Sequence, residues 1–248
     1  MKRINSVIVG MGEIGTGLFE LLKRRYEVYG IDKDSNKNCY SVQGVELKEP
    51  EKCKYLNICI PYSNKFVEIV SEYIHKYESD LVIIHSSVPI GTTKSFMKAV
   101  HSPVRGKHPD MAKGLKAYIK FIGYNDERLG ALAVDYLGSC MRVIKLENSN
   151  TTEAAKILSL ARYCVYLGVA DEMKKVCDKA GVDYEKAVKF WELDYNAGIR
   201  KSEPDHLRPV YDPPNGKIGG HCVLPITEML VNDKRFSTPI ISEAFQKY

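Results

Sequence analysis

Residues Val7-Ile8-Val9-Gly10-Met11-Gly12-Glu13-Ile14-Gly15 place three glycines directly behind an apolar run, and Asp32 closes the next apolar run. This arrangement constrains the fold more than any other feature of the chain. Gly10 lets the backbone turn sharply out of a strand, and Gly12 lets a pyrophosphate approach the main chain. Gly15 lets the following helix pack closely on a sheet. The N-terminus of that helix offers free N–H groups and partial positive charge to phosphates. The flanks agree: Ile4 and residues 7–9 predict a strand, residues 17–25 a helix with Leu18, Leu21 and Leu22 inward, and residues 27–31 a second strand. An acid about 20 residues beyond the glycines is placed to accept both ribose hydroxyls of a dinucleotide.

Gly10, Met11, Gly12, Glu13, Ile14 and Gly15 are therefore the expected phosphate-side contacts, with Asp32 and Lys33 on the ribose side. The Asp32 carboxylate would repel a 2′-phosphate, which favours NAD over NADP; Lys33 softens that preference. S-adenosylmethionine sites use a similar turn and ribose acid and remain the alternative cofactor.

Short apolar runs alternate with helical stretches as far as residue ~145, the pattern of a doubly wound Rossmann-type α/β sheet with parallel strands. A weak strand is expected at 45–47 and strong ones at 55–60 and 81–85. Further strands are expected at 121–123 and 141–144, and helices at 64–77, 92–100 and 126–139. The polar stretch 147–152 reads as linker and helix cap together. From 152 to 180 runs one long helical pattern without proline, with Ala154, Ile157, Leu158, Ala161, Val165, Gly168, Met173 and Val176 near a 3.6 period. Gly181 ends it, and 184–197 predicts another helix, carrying the single tryptophan, Trp191. The expected organisation is a dinucleotide-binding domain over 1–147 and a smaller all-helical domain, built on the long helix, over 148–248. A helix apolar over most of its circumference must bury more than one face, so a homodimer is expected.

Composition bounds the partners. The net charge of +5 is mild and scattered, and the Lys23-Arg24-Arg25 cluster reads as a solvated helix end, so no nucleic-acid partner is expected. Seven cysteines without a C-x-x-C pair argue against a disulfide framework or a zinc ribbon. A reducing cytoplasm is the natural home, and no apolar run reaches membrane-spanning length. The N-terminus enters a strand at once, leaving no room for a signal peptide. Arg105, Lys107 and His108 could bind an anionic substrate or form a solvated basic loop, and Lys107-His108-Pro109 resembles the G-x-H-P loop of prephenate-type dehydrogenases. His85 ends a central strand facing the expected cofactor cleft.

Several segments, in order, resemble the UDP-glucose/GDP-mannose dehydrogenase family of nucleotide-sugar 6-dehydrogenases. They are the glycine fingerprint, Asn57-Ile58-Cys59-Ile60-Pro61, His85-Ser86-Ser87-Val88-Pro89-Ile90-Gly91-Thr92-Thr93, Pro109-Asp110, Glu153-Ala154-Ala155-Lys156, Asp171-Glu172 and Gly219-Gly220-His221-Cys222. The resemblance implies oxidation of an alcohol with NAD on a small, anionic or sugar-derived substrate. It places Pro61 and Ser87 beside the cofactor. Cys222 becomes the thiolate nucleophile, Lys156 the group that stabilises an oxyanion or moves a proton, and Ser87 a positioner of water. Asp110 falls where the family has an acid, and His221 is either a base or a backbone-bonded structural histidine.

The departures change the expected chemistry. Where the family has an asparagine four residues after the lysine stands Leu160, and where it has an aspartate four residues after the cysteine stands Ile226. Only 26 residues follow Cys222, against the further C-terminal domain of family members, which suggests a shortened form. An apolar neighbour does not assist ionisation of a thiol. The oxidation is therefore expected to stop at the aldehyde or ketone, with one NADH per product and Lys156 as proton-transfer group. A methyltransferase using S-adenosylmethionine and a non-catalytic NAD-binding protein are the alternatives.

Overall fold

The computed structural model describes residues 5–41, 49–106, 110–216 and 222–248. The expected strand at 45–47 and residues Lys107, His108, Pro109 and His221 lie outside the described residues. The chain divides into two compact units, Met1–Lys156 and Ile157–Tyr248.

The first unit is an eight-stranded sheet comprising β1 (Asn5–Val9), β2 (Glu27–Ile31), β3 (Cys39–Tyr40), β4 (Tyr55–Ile58), β5 (Leu81–Ile84), β6 (Ala99–His101), β7 (Lys120–Tyr124) and β8 (Val143–Leu146). Their spatial order is β3-β2-β1-β4-β5-β6-β7-β8. Helices α1 (Glu13–Leu22), α2 (Phe66–Tyr77), α3 (Met111–Ala117) and α4 (Glu127–Gly138) connect them. Strands β1 and β5 explain the double covering. Ile8, Leu81 and Ile83 join a core with Leu18, Leu22 and Tyr136, while Val7, Val9, Val82 and Ile84 join another with Phe66 and Val70. Successive side chains point to opposite faces of a strand, so a continuous apolar run needs a layer on each side.

Three sequence expectations are corrected. The sheet is not wholly parallel: β3 pairs antiparallel with β2, and β7 pairs antiparallel with β6 while β8 runs parallel to β7. The helix expected over 92–100 is a single 3-10 turn, Thr92–Ser95, followed by β6. Phe96 is buried and Met97 wholly exposed, an alternation that suits an extended chain, and Val100 pairs with both Ile83 and Tyr124. Helix α3 was not foreseen; it lies against α1, where Gly17 leaves room for Met111 and Ala112.

Helix α5 (Ser149–Ala180) belongs to both units. The sheet unit ends after Lys156 and not at 147 because the first turns of α5 bond to it. Thr152 and Glu153 are buried and hydrogen-bonded to His101 and Thr93. The second unit has no strand among its described residues. It comprises the rest of α5, a π-helical turn Glu185–Phe190 leading into α6 (Trp191–Ile199), α7 (Val223–Val231) and α8 (Pro239–Gln246). Gly181 ends α5 with a φ of +69°, a left-handed stop that glycine takes without strain.

Candidate active site

Strand β1 has β2 on one side and β4 on the other, so the connections leave its carboxyl end in opposite directions. Such a switch point opens a crevice beyond the strand ends. Each of the three glycines meets a different demand there. Gly10 has a φ of +95°, and a Cβ on it would meet the Cys59 carbonyl at 2.9 Å. A Cβ on Gly15 would lie 1.9 Å from the Gly10 carbonyl oxygen, whereas one on Gly12 would meet nothing within 4 Å. The first and third glycines thus serve the protein's own packing. The second keeps an open face at the start of α1, where N–H groups lack helical partners. Glu13 is exposed and Ile14 half-buried there.

Asp32 follows β2 and is tied to this turn. Its Oδ2 accepts the Met11 N–H at 2.7 Å and its Oδ1 the Asp34 N–H at 3.0 Å. Burial works against the charge, but these two N–H groups, with Lys37 and Lys33 nearby, hold the carboxyl below the usual aspartate range. Lys33 itself is exposed. Across the crevice, Pro61 is exposed and Ser87 half-buried. Ser86 anchors the neighbouring backbone by donating to the Ile60 carbonyl at 2.5 Å.

The turn after β5 is pinned from α5. The Glu153 carboxylate accepts the Gly91 N–H at 2.6 Å, the Thr93 N–H at 2.8 Å and the Thr93 hydroxyl at 2.6 Å. Burial raises this carboxyl, and the three donors and Lys94 offset part of that effect. Lys156, one turn along the same helix, donates to the Val104 carbonyl at 3.0 Å, beyond the end of β6. The structure therefore places the glycine turn, Asp32, Ser87 and Lys156 on the carboxyl side of the parallel strands.

Asp110 has a different setting. It is exposed, caps α3 by accepting the Lys113 N–H at 3.2 Å, and pairs with the Lys113 ammonium at 2.7 Å. That pair holds the carboxyl below its ordinary range.

Cys222 lies in the second unit, half-buried, at the N-cap of α7. Ile226, one turn on, is buried, as is Val223. Leu160 packs with Cys164, Leu167 and Val223. Of the two positions that differ from the nucleotide-sugar dehydrogenase pattern, Ile226 is buried and Leu160 is half-buried against this cluster.

Sequence reasoning missed a buried polar network. Asn57 is hydrogen-bonded to Ser6 at 3.0 Å, to the Tyr136 hydroxyl at 3.0 Å and to His85 at 3.1 Å. The other His85 ring nitrogen lies 3.1 Å from the Ser102 carbonyl. His101 bridges the Thr152 hydroxyl at 2.8 Å and the Ser86 carbonyl at 3.1 Å. Both rings are buried. Burial holds His85 well below its usual range and brings His101 down to about 3, so both are neutral at pH 7. His85, expected to face the cofactor cleft, is instead a satisfied core histidine. Asn57 in the middle of an apolar strand was the one sequence signal for the network, because a buried amide needs partners.

No protein-family model matches the chain. Among curated proteins it is similar to the UDP-N-acetyl-D-mannosamine dehydrogenase of Methanocaldococcus jannaschii, at 24% identity over 270 aligned residues covering 90% of this chain and 60% of the relative. The enzyme of the same name from Methanococcus maripaludis strain C7 is 21% identical, with 87% of this chain and 58% of the relative covered. The chain thus spans about 60% of the length of these relatives. Among solved structures, a UDP-D-ManNAc dehydrogenase from Pyrococcus horikoshii superposes with a TM-score of 0.79 at 19% identity, covering 98% of this chain and 68% of that one. The Mycobacterium tuberculosis 3-hydroxyisobutyrate dehydrogenase gives 0.70 at 16% identity, covering 98% and 92%. The chain is thus similar in sequence to nucleotide-sugar dehydrogenases and shares the Rossmann-type fold of the solved structures.

Proposed function

We propose that the protein is an NAD-dependent oxidoreductase that oxidises an alcohol on a small anionic or sugar-derived substrate. The observation that carries this reading is the crevice beyond β1 and β4. It combines an open Gly12 face, a charged Asp32 hydrogen-bonded into the glycine turn, and an amine, Lys156, on the same side of the sheet. Bound NAD would supply the hydride acceptor. Gly10, Met11, Gly12, Glu13, Ile14 and Gly15 would face its pyrophosphate and Asp32 its ribose, with Lys33, Pro61 and Ser87 lining the crevice. Lys156 would take the alcohol proton as the carbonyl forms. The curated relatives are named as dehydrogenases, which supports the same class.

Cys222 is assigned no part in the first hydride step, because a buried isoleucine, Ile226, stands one turn after it where the resemblance implies an aspartate. His221 and Asp110 remain secondary candidates. Ile226 and Leu160, in place of the polar residues that the resemblance implies, favour a second reading, an NAD-binding protein without turnover. A cytoplasmic location is part of the proposal, on the ground that the seven cysteines form no C-x-x-C pair. Among the described residues no helix is long and apolar enough to cross a membrane. The second unit leaves Val169, Met173, Val176, Phe190, Trp191 and Leu193 exposed. A homodimer through this surface is part of the proposal, and light scattering giving a monomer near 28.0 kDa at micromolar concentration would count against it.

Absorbance of NADH during incubation with nucleotide sugars, sugar phosphates and hydroxy acids tests the activity. Turnover of at least one anionic alcohol is expected. Thermal shift separates the alternatives: NADH should stabilise the protein, by about 2.7 kcal/mol at 100 times its dissociation constant. Stabilisation by S-adenosylhomocysteine alone would overturn the assignment, and stabilisation by NADH without turnover of any substrate would favour the non-catalytic reading.

A further inference from the structure

The chain leaves β2 at Asp32 and returns at Cys39, which pairs antiparallel with Gly30. Residues 32–38 between them form a closed ring of polar contacts. The Asp32 N–H donates to Asn38 Oδ1 at 2.8 Å. The Asp34 N–H donates to Asp32 Oδ1 at 3.0 Å, and the Asp34 carboxylate accepts the Asn36 N–H at 3.2 Å as the cap of a 3-10 turn, Ser35–Lys37. The Asn38 N–H closes that turn on the Ser35 carbonyl at 3.1 Å. The side chain of Asn38 thus reaches back across the mouth of the loop to its first residue. None of the residues 32–38 is apolar, so side-chain-to-backbone hydrogen bonds, and not a buried face, fix the shape of the loop.

The ring holds a carboxylate. Asp32 Oδ1 takes the Asp34 N–H and Oδ2 takes the Met11 N–H. An ionised carboxylate has about four lone-pair sites, so each oxygen keeps one for a further donor. Two adjacent ribose hydroxyls are such a pair of donors. Asn38 touches neither oxygen. It holds the backbone nitrogen of Asp32, and a residue fixed at that nitrogen and at both carboxylate oxygens has little freedom to turn.

We propose that Asn38 is a positioning residue for Asp32. It fixes the Asp32 backbone so that the two remaining lone pairs meet the 2′- and 3′-hydroxyls of the adenosine ribose, and it thereby sets how strongly the site senses the 2′ position. The proposal rests on the NAD reading of the crevice. Without the Asn38 acceptor the Asp32 N–H turns to water, and the first residue of the loop gains rotational freedom. A bound ribose must then order it, and that cost is taken from the affinity.

The test compares the affinity of the full chain for NADH with that for its analogue lacking the 2′-hydroxyl on the adenosine ribose, read by nicotinamide fluorescence. The wild type should bind NADH about 10-fold more tightly, the equivalent of one hydrogen bond to a charged group. In Asn38→Ala the ratio should fall to about 3-fold or less. In Asn38→Asp, which keeps an oxygen to accept the Asp32 N–H, the ratio should stay near the wild-type value, because the added charge acts alike on two ligands of equal charge. A residue that served stability alone would lower the melting temperature or weaken both ligands without moving the ratio. A ratio in Asn38→Ala equal to that of the wild type would overturn the proposal. Should Asn38→Ala not fold, Asn38→Ser, whose hydroxyl is too short to reach the Asp32 N–H, takes its place under the same criterion. A wild type that binds neither ligand, or both equally, would fault the NAD reading and this proposal with it; wild-type sensing that survives in Asn38→Ala would fault this proposal alone.

Discussion

Asp32 Oδ2 accepts the backbone N–H of Met11 at 2.7 Å, so the two ends of the proposed cofactor site are joined by a charge-assisted hydrogen bond across 21 residues of sequence. The ribose acid and the phosphate turn are positioned together. Asp32→Asn should weaken NADH binding about 10- to 100-fold, the equivalent of one such bond. It should also narrow the gap between NADH and NADPH, as read by cofactor fluorescence. Equal affinity of variant and wild type for NADH would remove Asp32 from the site.

The glycines should separate folding from binding. A Cβ on Gly15 would strike the Gly10 carbonyl oxygen at 1.9 Å, so Gly15→Ala should destabilise by about 3 kcal/mol or more in urea denaturation. Gly12→Ala meets open space and should change stability by less than about 0.5 kcal/mol, yet abolish measurable NADH binding. Retained binding in Gly12→Ala would place the pyrophosphate elsewhere.

Glu153 bonds three donors of the turn after β5. In Glu153→Gln the amide group would turn an N–H toward one of them and leave a buried donor without an acceptor. The expected loss is about 2–3 kcal/mol, read as a lower denaturation midpoint. Glu153→Asp, too short to reach all three donors, should recover only part of it.

Acid should unfold the protein through its buried histidines. The unfolded chain takes up protons near 6.5, while folded His101 does so only near 3 and His85 well below 6.5. The unfolded state therefore binds more protons below pH 6.5, and the stability present above that pH is lost as pH falls. The two rings together give a slope of up to about 2.7 kcal/mol per pH unit. Glu153, raised above 4.5, acts in the opposite sense. Urea melts of wild type and His101→Gln between pH 7 and 5 isolate the His101 share; parallel pH dependences would show that His101 is not buried neutral.

Electron count tests the role of Cys222. With aliphatic Ile226 and Leu160 at the two positions where the resemblance implies polar groups, one NADH per product is expected, and Cys222→Ala should leave the first hydride step unchanged. Two NADH per substrate with a carboxylate product, abolished in Cys222→Ala, would show a covalent thioester route.

Several elements are legible in the chain because their physics is local. Three glycines behind an apolar strand admit few structures, and the runs at β1, β4 and β5 could only be strands covered on both faces. The 32 residues of α5 show their period without reference to anything else. Tertiary structure decided what depends on the path of the chain. Residues Ala99–Val100–His101 and Lys120–Phe121–Ile122 read the same in either strand direction. Only the return through α3 makes β7 run antiparallel to β6. The Thr92-to-Val100 stretch has helical spacing, but pairing of Val100 with strands on both sides outweighs that local preference. Lys120 looks like an ordinary polar start to a strand; its burial follows from the carbonyls of Ser102 and Pro103, brought to it by a neighbouring strand. A buried polar group is legible only through its partners, and partners distant in sequence are what the tertiary fold supplies.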